Sequence, residues 1–393
     1  MSILEGKRVL VGVTGGIAAY KVAYLIRELK RLGAQVKVLM TPFAQNFVGK
    51  MTFETLSGNK VYVNWENEPL AHINLARWAD LFLIAPCTVN TLSKLALGIG
   101  DNLLTTTALA YAGKLLIAPA ANTVMYKNPA VEENIKKLKD RGVEIVEPEW
   151  GILACEEEGE GKLAETDRLV DRVVRALYPK PLAGKRVLIT CGATREYIDP
   201  VRFISNESSG EMGFSLARVC RWMGAKVKVI AGFTTASEPP EMDILRVKTA
   251  EEMREEVLKN FEHSDVVIMN SAVSDYRPKV FSPEKIKKKD KFILELEKNP
   301  DILEELGRKK KHQLLVGFAL ESENIVENAK EKLNRKNLDM IVANPVEVMG
   351  ARHHKGYLIA AEKVEEFNFE DKLRSAEFIV KHIIMLFKTY NIT

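Results

Sequence analysis

Short apolar runs alternate with amphipathic stretches along the whole chain. The run RVLVGV (8–13) is followed by AAYKVAYLIRELKRLG, whose apolar residues recur at helical spacing, and then by QVKVLM. This order predicts strand, helix, strand, which is a βαβ unit with parallel strands. The strand candidates are rich in Val, Ile and Leu on both faces, as buried parallel strands are. The pattern therefore predicts an α/β fold built on doubly wound parallel sheets.

The same pattern occurs twice. LEGKRVL (4–10) returns as LAGKRVL (182–188), and LGAQVKVLM (32–40) returns as MGAKVKVIA (223–231). The prolines and the glycine of ALYPKPLAGK (176–185) mark the boundary, so we expect two Rossmann-like domains, at 1–178 and 179–393. Further apolar runs predict the other strands of the two sheets: DLFLIAP (80–86), KLLIAPA (114–120), DVVIMN (265–270), LLVGFAL (314–320) and DMIVANP (339–345).

Composition argues against several classes of protein. The 393 residues suffice for two or three domains, each with its own core. A net charge of +4 gives no support for a nucleic-acid or membrane surface, and no apolar stretch reaches the roughly 18 residues that a bilayer-spanning helix needs. The N-terminus lacks the layout of a signal peptide. Four scattered cysteines without a Cys-x-x-Cys pair favour a cytoplasmic location over a disulfide framework or a zinc site.

The first strand runs into a glycine-rich turn, GVTGGIAAYK (12–21). A strand followed by paired glycines and a helix is typical of a phosphate site, because the helix N-terminus offers amide donors. Gly12, Gly15 and Gly16 do not have the G-x-G-x-x-G spacing of a dinucleotide site, which weakens that interpretation.

The corresponding turn of the second half is longer and polar, CGATREYIDPVRFISNESSG (191–210). It carries Arg195, Arg202, Asn206 and Ser208 among glycines, a set suited to phosphate. Ligands of open α/β sheets bind at the carboxyl ends of the strands, so we interpret this turn as a substrate loop rather than as a tolerated surface insertion.

Three residues of the first half have side chains suited to chemistry. His72 opens a short helical stretch in AHINLARWAD, and Asn122 follows a strand in PAANTVMY. Cys155 lies in ILACEEEGEGKLAE (152–165), a glycine-broken acidic segment that predicts no regular element. Each also has an ordinary interpretation, as a structural histidine, a turn asparagine and an incidental thiol.

These stretches together carry a resemblance. TGGIAAYK, AHINLARWAD, PAANTVMY and the segment around Cys155 resemble those of the FMN-dependent cysteine decarboxylases. The whole chain, in both halves, resembles the bifunctional phosphopantothenoylcysteine decarboxylase/phosphopantothenate–cysteine ligase family. The resemblance implies a flavodoxin-like first domain and a two-step enzyme. The ligase half would join 4′-phosphopantothenate to cysteine using CTP, and the decarboxylase half would convert the product to 4′-phosphopantetheine.

The resemblance implies roles in the first half. Oxidised flavin turns the substrate thiol into a thioaldehyde, which provides the electron sink that decarboxylation needs. His72 would take part in this step as a base, Asn122 would bind the substrate carboxylate, and Cys155 would donate the final proton. Lys162 stands where the family usually has arginine, which keeps the charge but loses a bidentate fork. The positions that match flavin-holding residues are Gly15, Gly16, Ile17, Thr41, Thr88 and Asn90.

The resemblance also implies the chemistry of the second half. A carboxylate must attack the α-phosphate of a nucleotide, so lysines and Mg²⁺ are needed to neutralise charge. Arg202 and Asn206 would contact the acyl intermediate, with Asn206 also catalytic. Lys285, in the basic run EKIKKKDK (284–291), would serve activation and transfer, although a lysine run alone typically marks a solvated face. The expected nucleotide site comprises Met269, Asn270, Ser271, Asp275, Lys285, Pro300, Asp301, Ile302, Leu303, Phe318, Lys332 and Lys336.

Several alternatives stay open at this stage. One half alone could be active, or the chain could be a non-catalytic flavoprotein that regulates a partner. Such regulatory relatives often have acidic tails or lack a catalytic residue, whereas this chain keeps His72, Asn122 and Cys155. The resemblance implies flavin-half trimers with sites at subunit contacts and ligase-half dimers, which combine into a closed dodecamer. The choice between CTP and ATP and the ligands of Mg²⁺ are not specified by the sequence.

Overall fold

Two parallel sheets, one in each half, organise the chain. The computed structural model describes residues 3–65, 68–288, 290–348, 353–361 and 363–389. The chain divides into two compact units, Met1–Tyr178 and Pro179–Thr393. No helix in these described ranges is long and apolar enough to cross a membrane.

The first unit alternates strands and helices. Its strands are β1 (Arg8–Val13), β2 (Gln35–Met40), β3 (Val61–Tyr62), β4 (Leu81–Cys87), β5 (Lys114–Pro119), β6 (Glu144–Ile145), β7 (Glu149–Ile152) and β8 (Glu158–Lys162). Its α-helices are α1 (Val22–Arg31), α2 (Lys50–Ser57), α3 (Ala71–Trp78), α4 (Val89–Leu97), α5 (Leu103–Ala110), α6 (Thr123–Tyr126), α7 (Pro129–Asp140) and α8 (Thr166–Leu177), with 3-10 turns at Ile17–Lys21 and Pro42–Asn46.

The first sheet is entirely parallel, in the order β3-β2-β1-β4-β5-β6. Without the two-residue edge strand β3, this is the 2-1-3-4-5 order of flavodoxin-like folds. The predicted doubly wound class is therefore confirmed. β7 and β8 stand apart from the sheet as an antiparallel hairpin.

The second unit repeats the plan with additions. Its strands are β9 (Arg186–Cys191), β10 (Arg195–Tyr197), β11 (Phe203–Ser205), β12 (Lys226–Ala231), β13 (Asp243–Arg246), β14 (Val266–Met269), β15 (Tyr276–Pro278), β16 (Leu296–Lys298), β17 (Leu314–Glu321), β18 (Met340–Pro345), β19 (His354–Ala360) and β20 (Lys363–Phe369). Its helices are α9 (Glu211–Trp222), α10 (Ala250–Phe261), α11 (Ile302–Lys309), α12 (Ile325–Arg335) and α13 (Lys372–Thr389), with a 3-10 turn at Val346–Val348.

The second sheet has the order β13-β12-β9-β14-β17-β18-β19-β20. Its first six strands are parallel and follow the order of the first sheet, whereas β19 and β20 extend it antiparallel. β10 pairs with β11, and β15 pairs with β16, in two small hairpins outside the sheet. The sequence predicted most of the parallel strands but missed β3, β6 and β13 as well as these antiparallel elements.

One ion pair recurs in both units and supports the internal repeat. Asp80, at the start of β4, accepts the Arg8 N–H at 2.8 Å and also pairs with the Arg8 guanidinium. In the second unit Asp265 accepts the Arg186 N–H at 2.6 Å from the same relative position. Each aspartate therefore joins the amino ends of the two central parallel strands.

The helices cover the sheets with apolar faces. In α1 the buried residues are Val22, Leu25, Ile26 and Leu29, at the spacing of one helix face. The helix ends before Gly33, whose φ of 92° lies in the left-handed region that a side chain disfavours. Burial of this face holds α1 in place in the first unit.

Leu29→Ala and Leu97→Ala test this packing with the same chemical change on two helices. Leu29 is 0% exposed in α1, whereas Leu97 is 60% exposed at the end of α4. We expect Leu29→Ala to lower the free energy of unfolding by about 2–5 kcal/mol, because it leaves a cavity in the core. Leu97→Ala should change it by about 0.5 kcal/mol or less. Urea unfolding of both variants measures this, and equal losses would contradict the packing.

Candidate active sites

The carboxyl ends of the central strands meet at one edge of the first sheet. Thr14, which is buried just after β1, donates its hydroxyl to Pro86 O at 2.7 Å and accepts the Thr88 N–H at 2.9 Å. The Thr41 N–H donates to Val13 O at 2.9 Å. These bonds hold the ends of β1, β2 and β4 together, so the structure places Thr41 and Thr88 beside the glycine turn.

The two glycines of the turn meet different neighbours. A Cβ on Gly15 would lie 2.5 Å from the Phe43 ring. Any other residue at position 15 would therefore displace this ring. A Cβ on Gly16 would lie 3.6 Å from Thr88, an ordinary contact distance. A 3-10 turn follows Gly16, and the α-helix that the sequence predicted directly after the glycines begins only at Val22. Asn90 is exposed in the first turn of α4.

A cavity of about 630 Å³, cavity A, opens beside this turn. Its walls come from the glycine turn, the turn after β5 and the β7–β8 hairpin: Gly16, Ile17, Ala18, Tyr20, Lys21, Ala120, Ala121, Asn122, Ile152, Leu153, Ala154, Cys155, Gly161, Lys162 and Leu163. Residues that are remote in sequence, among them Gly16, Asn122 and Cys155, thus share one cavity. Of the other described candidates in this unit, Gly15, Thr41, His72, Thr88 and Asn90 are not among the lining residues.

The acidic segment around Cys155 is regular, so the expectation of an irregular segment was wrong. β7 and β8 pair as a hairpin with Cys155 in its connecting turn. Strand propensity could not indicate this, since EGEGK in β8 is poor in strand-forming residues. The hairpin instead depends on close packing by its glycines. A Cβ on Gly159 would lie 2.1 Å from Thr123 Oγ1, and one on Gly161 would lie 2.1 Å from Ala121 O.

Asn122 and Cys155 are in contact. Asn122 caps α6, where its Oδ1 accepts the Val124 N–H at 2.8 Å. Its Nδ2 donates to Cys155 Sγ at 3.4 Å and to Glu157 Oε2 at 2.8 Å. The thiol of Cys155 in turn donates to Glu157 at 3.5 Å. Sequence reasoning missed Glu157, because nothing in the sequence distinguishes it from the neighbouring glutamates.

Lys162 anchors the base of the hairpin. Its Nζ lies 2.7 Å from Glu165, and this hydrogen bond raises the pKa of Lys162 above its usual value. Glu165 also pairs with Lys21 at 3.4 Å. A lysine can make this monodentate pair without the fork of an arginine. In this structure Lys162 therefore links the hairpin to the start of α8 and to the glycine turn.

His72 lies elsewhere in the unit. Its half-buried ring, on α3, accepts the Trp65 indole N–H at Nδ1 over 3.3 Å. In the neutral ring, this bond places the proton on Nε2. Within the unit, the structure brings Asn122 and Cys155 together but does not place His72 in cavity A.

In the second unit a cavity of about 440 Å³, cavity B, lies at the carboxyl ends of β14 and β17. Its walls contain most of the residues expected to hold a nucleotide, together with Asn206. The lining residues are Asn206, Glu207, Met269, Ser271, Ala272, Val273, Ser274, Asp275, Lys298, Asn299, Pro300, Asp301, Ile302, Leu303, Phe318, Ala319, Leu320, Lys332 and Lys336. Asn206 is held there by donating to Ala272 O and Val273 O, both at 3.3 Å.

The lysines of cavity B are paired with carboxylates. Lys336 Nζ lies 2.7 Å from Asp301, and Lys332 pairs with Glu321. Asp301 also caps α11 by accepting the Glu304 N–H at 3.0 Å. Burial alone would raise the pKa of Asp301, but the hydrogen bonds from Lys336 and Glu304 outweigh it and lower that pKa. Two cations, one in α12 and one just after it, thus lie at the wall of the cavity.

A smaller cavity of about 210 Å³, cavity C, adjoins cavity B and shares Ser271 and Phe318 with it. Asn270 lines cavity C rather than cavity B. Three further residues of its wall were missed by sequence reasoning: Asn344, His354 and Lys372. The Oδ1 atom of Asn344 is buried and has no hydrogen-bond partner among the described residues. Burial lowers the pKa of His354 to about 4. β19, which carries His354, was not predicted from the sequence.

Arg202 and Lys285 lie outside all of these cavity walls. Arg202 is exposed at the tip of the β10–β11 hairpin and pairs with Asp199 at 2.6 Å. Lys285 is exposed in the segment after β15, and Lys289 of the same basic run falls outside the described residues. Arg195, proposed from its loop position as a phosphate ligand, instead packs its guanidinium against the rings of Phe203 and Phe233, 4.4 and 3.5 Å from their centroids.

Asp199 is buried and strongly hydrogen-bonded. Its carboxylate accepts the N–H groups of Val201 and Arg202 at 2.8 Å and that of Ile286 at 3.1 Å. Burial alone would raise the pKa of Asp199, but these donors and the charge of Arg202 outweigh it and lower the pKa to about 2. In the described ranges no group of three or more His, Cys, Asp or Glu side chains is placed to hold a metal ion.

Comparison with known proteins identifies the family. A flavoprotein family model matches residues 2–178, and a model for the DNA/pantothenate metabolism flavoprotein C-terminal domain matches residues 182–386. The coenzyme A biosynthesis bifunctional protein CoaBC of Borreliella burgdorferi is 40% identical over 385 residues, which cover 96% of this chain and 99% of that protein. The chain belongs to the family of bifunctional coenzyme A biosynthesis proteins.

Other members and solved structures are also similar. The CoaBC protein of Bacillus subtilis is 45% identical over 358 residues, covering 89% of this chain and 88% of its own. The solved C-terminal domain of a CoaBC protein is 39% identical and covers 53% of this chain and 99% of its own, with a TM-score of 0.47. A PPC decarboxylase mutant complexed with pantothenoylaminoethenethiol is 33% identical and covers 42% of this chain and 96% of its own, with a TM-score of 0.40.

Gly161→Ala tests how the β7–β8 hairpin is held against the turn that carries Asn122. The added Cβ would collide with Ala121 O, and Gly161 has a φ of 147° that side chains rarely adopt. We expect the hairpin to detach and the Ala121 N–H, which donates to Gly161 O at 3.0 Å, to exchange with deuterium about 10-fold faster, since detachment breaks this hydrogen bond. Hydrogen exchange of a peptide that contains Ala121 measures this rate. Gly151→Ala on β7 is the control, because its Cβ would meet only Lys162 at 3.4 Å. Equal rates in both variants would contradict this account.

Asp199→Asn tests the pH dependence that the buried carboxylate implies. Its pKa is lower in the folded than in the unfolded chain, so its charge stabilises the fold above pH about 4, and this contribution is lost as the pH falls towards 2. The stability difference between wild type and Asp199→Asn should therefore be constant above about pH 5 and shrink between about pH 4 and pH 2. Urea unfolding across this range measures it. A difference that stays constant down to pH 2 would be inconsistent with the lowered pKa.

Proposed function

We propose that the chain performs two consecutive steps of coenzyme A biosynthesis. The second unit, 179–393, joins 4′-phosphopantothenate to cysteine through an acyl-cytidylate formed from CTP. The first unit, 1–178, decarboxylates the product to 4′-phosphopantetheine. The observation that carries the proposal is the convergence of distant residues: Asn122 and Cys155 meet in cavity A, and most of the expected nucleotide residues surround cavity B.

The residues at the strand ends of the first unit fit FMN. The turn at Gly16 leaves room before Thr88, and hydroxyl groups follow β2 and β4. Lys21 adds a cation to the wall of cavity A. When bound, FMN supplies the electron sink that the substrate carboxylate lacks. The residues that would hold it are Gly15, Gly16, Ile17, Thr41, Thr88 and Asn90.

The side chains of cavity A suit the remaining steps. The Asn122 amide, which donates to Glu157 at 2.8 Å, can donate to a substrate carboxylate in the same direction. The Cys155 thiol, 3.4 Å from that amide, can protonate a carbon bound beside it. His72 would serve the cavity of a neighbouring subunit as a base. The hydrogen bond from the Trp65 indole N–H would have to break before His72 Nδ1 could accept a proton.

A subunit contact is supported by exposed apolar side chains on the first unit. These lie on the 3-10 turn after Gly16, on α1 and around α2: Ile17, Tyr20, Tyr24, Phe43, Phe47 and Met51. Exposed apolar patches of this kind mark interaction sites. We infer trimers of the first unit, dimers of the second and a dodecamer that combines them. The four free cysteines favour a cytoplasmic location.

Cavity B suits the activation of a carboxylate by a nucleotide. Lys332 and Lys336 supply positive charge for phosphates, and Asp275 is exposed at the same wall. Mg²⁺ would enter with the nucleotide, since this ion is usually bound by phosphates, waters and one or two carboxylates. Arg202 and Asn206 would contact the acyl intermediate, and Lys285 would neutralise charge during activation and transfer.

The test is to incubate the chain with 4′-phosphopantothenate, cysteine, CTP and Mg²⁺ and to identify the products by mass. We expect 4′-phosphopantetheine from the wild type. Cys155→Ser should stop with a decarboxylated product that lacks two hydrogens, because the final proton is not delivered. Asn206→Ala should lower formation of phosphopantothenoylcysteine by about 100-fold or more while still decarboxylating added phosphopantothenoylcysteine.

Each variant controls for the other, because the two substitutions lie in different units. The cysteine adduct alone from the wild type would mean that the first unit is inactive. No product from the wild type, with either CTP or ATP and with FMN added, would overturn the enzymatic proposal and favour a regulatory flavoprotein.

A further inference from the structure

Hydrogen bonds attach the segment that carries Lys285 to the β10–β11 hairpin, and two of them are made by Asp199 and Arg202. Ile286, the residue after Lys285, donates its N–H to Asp199 Oδ2 at 3.1 Å and accepts a hydrogen bond from Arg202 Nη1 at its carbonyl, also at 3.1 Å. One further bond runs from the Ser282 N–H to Ile198 O at 2.9 Å. Both backbone groups of Ile286 are therefore bound by the Asp199–Arg202 pair.

Asp199 is bound to both sides of this contact. Its Oδ1 accepts the N–H groups of Val201 and Arg202 and thereby forms the turn between β10 and β11. Its Oδ2 accepts from the Arg202 guanidinium and from Ile286. A carboxylate in a hairpin turn would ordinarily be solvated, yet Asp199 is 0% exposed. Burial of an unpaired carboxylate is costly, and four donors offset that cost here.

We infer that Asp199 is a positioning residue of the ligase reaction: it holds the Arg202 turn and the Lys285 segment in one fixed arrangement. The inference rests on the proposed function of the second unit. Asp199 lines neither cavity B nor cavity C, so it acts through Lys285 and Arg202 rather than on the nucleotide. Without the Asp199 carboxylate, the segment that carries Lys285 keeps its charge but is no longer held in position. A displacement of a reacting group by about 1 Å can lower the rate about 100-fold.

Asp199→Asn is the substitution that separates these roles. The amide keeps one oxygen for the turn, but its NH₂ group faces the Ile286 N–H and the Arg202 guanidinium, which are also donors. The matched control is Asp243→Asn, the same change at an exposed position in β13. We expect kcat for acyl-nucleotide formation to fall about 10- to 100-fold in Asp199→Asn, with KM for CTP changed by about twofold or less.

A mutant cycle tests whether Asp199 acts through Lys285 and Arg202. If it does, Asp199→Asn added to the Lys285→Ala, Arg202→Ala double variant lowers kcat by no more than about twofold beyond that double variant. A merely structural role predicts a further loss of the same size as in the wild-type background. Additive losses would therefore overturn the inference, as would a KM for CTP that rises in parallel with the fall in kcat.

Limited trypsin digestion gives a readout that does not depend on ligase activity. The backbone after Lys285 is restrained because both backbone groups of Ile286 are hydrogen-bonded, and a protease must bind its substrate in an extended conformation. We expect cleavage after Lys285 to be about 10-fold faster in Asp199→Asn than in Asp243→Asn. Should Asp199→Asn fail to fold, Ile286→Pro removes the same bond from the other side, and cleavage after Lys287 and Lys288 is followed instead.

The two readouts separate failure of this inference from failure of the proposed function. If the wild type has no ligase activity but Asp199→Asn still speeds cleavage, the proposed function is contradicted. The role of Asp199 in holding the Lys285 segment is then retained. An active wild type, in which Asp199→Asn changes neither kcat nor cleavage, would overturn the assignment of Asp199. Decarboxylation of added phosphopantothenoylcysteine should be unchanged in Asp199→Asn, since Asp199 belongs to the second unit.

Discussion

The parallel pairing of the central strands is the constraint on which both units depend. Parallel pairing places every carboxyl end at the same edge of a sheet, so residues from distant stretches come together there without any local sequence signal. In the first unit the Thr14 hydroxyl joins two of these ends by bonding Pro86 O and the Thr88 N–H. In the second unit Thr190 plays a similar part, since its Oγ1 accepts the Ser271 hydroxyl at 2.9 Å. Cavities A and B both follow from this geometry.

The sequence was sufficient to predict most strands of the two sheets because each of these strands is a continuous apolar run that becomes buried. β4, β5, β14, β17 and β18 all lie where apolar runs predicted them. The repeated LxGKRVL openings also predicted that the two sheets would begin alike, and both do. A parallel strand that is covered on both faces reads as a nearly continuous apolar run, and such a run is a strong local signal in a sequence.

The elements around the sites could not be predicted in the same way. The β7–β8 hairpin contains EGEGK and is held by close approach of its glycines to Ala121 and Thr123, a tertiary contact. The roles of Glu157 and Asp199 depend on partners 35 and 87 residues away, Asn122 and Ile286. For the sites themselves, the resemblance named residues from distant stretches, and the fold supplied the contacts between them. It also showed that His72 lies apart from cavity A.

In both units, candidate site residues lie on structures attached to the sheet, the β7–β8 hairpin and the Lys285 segment, rather than on the sheet itself. Cys155 lies at the tip of a hairpin, and Lys285 lies in a segment that rests on a hairpin turn. The two attachments are held by different physics. The first relies on the steric fit of glycines together with the exposed Lys162–Glu165 pair, whereas the second relies on a buried carboxylate with four donors. A charged clamp of this kind is strong when fully satisfied and costly when one partner leaves. Because the four hydrogen bonds share one carboxylate, loss of one donor weakens the rest, and the Lys285 segment should be held either firmly or hardly at all.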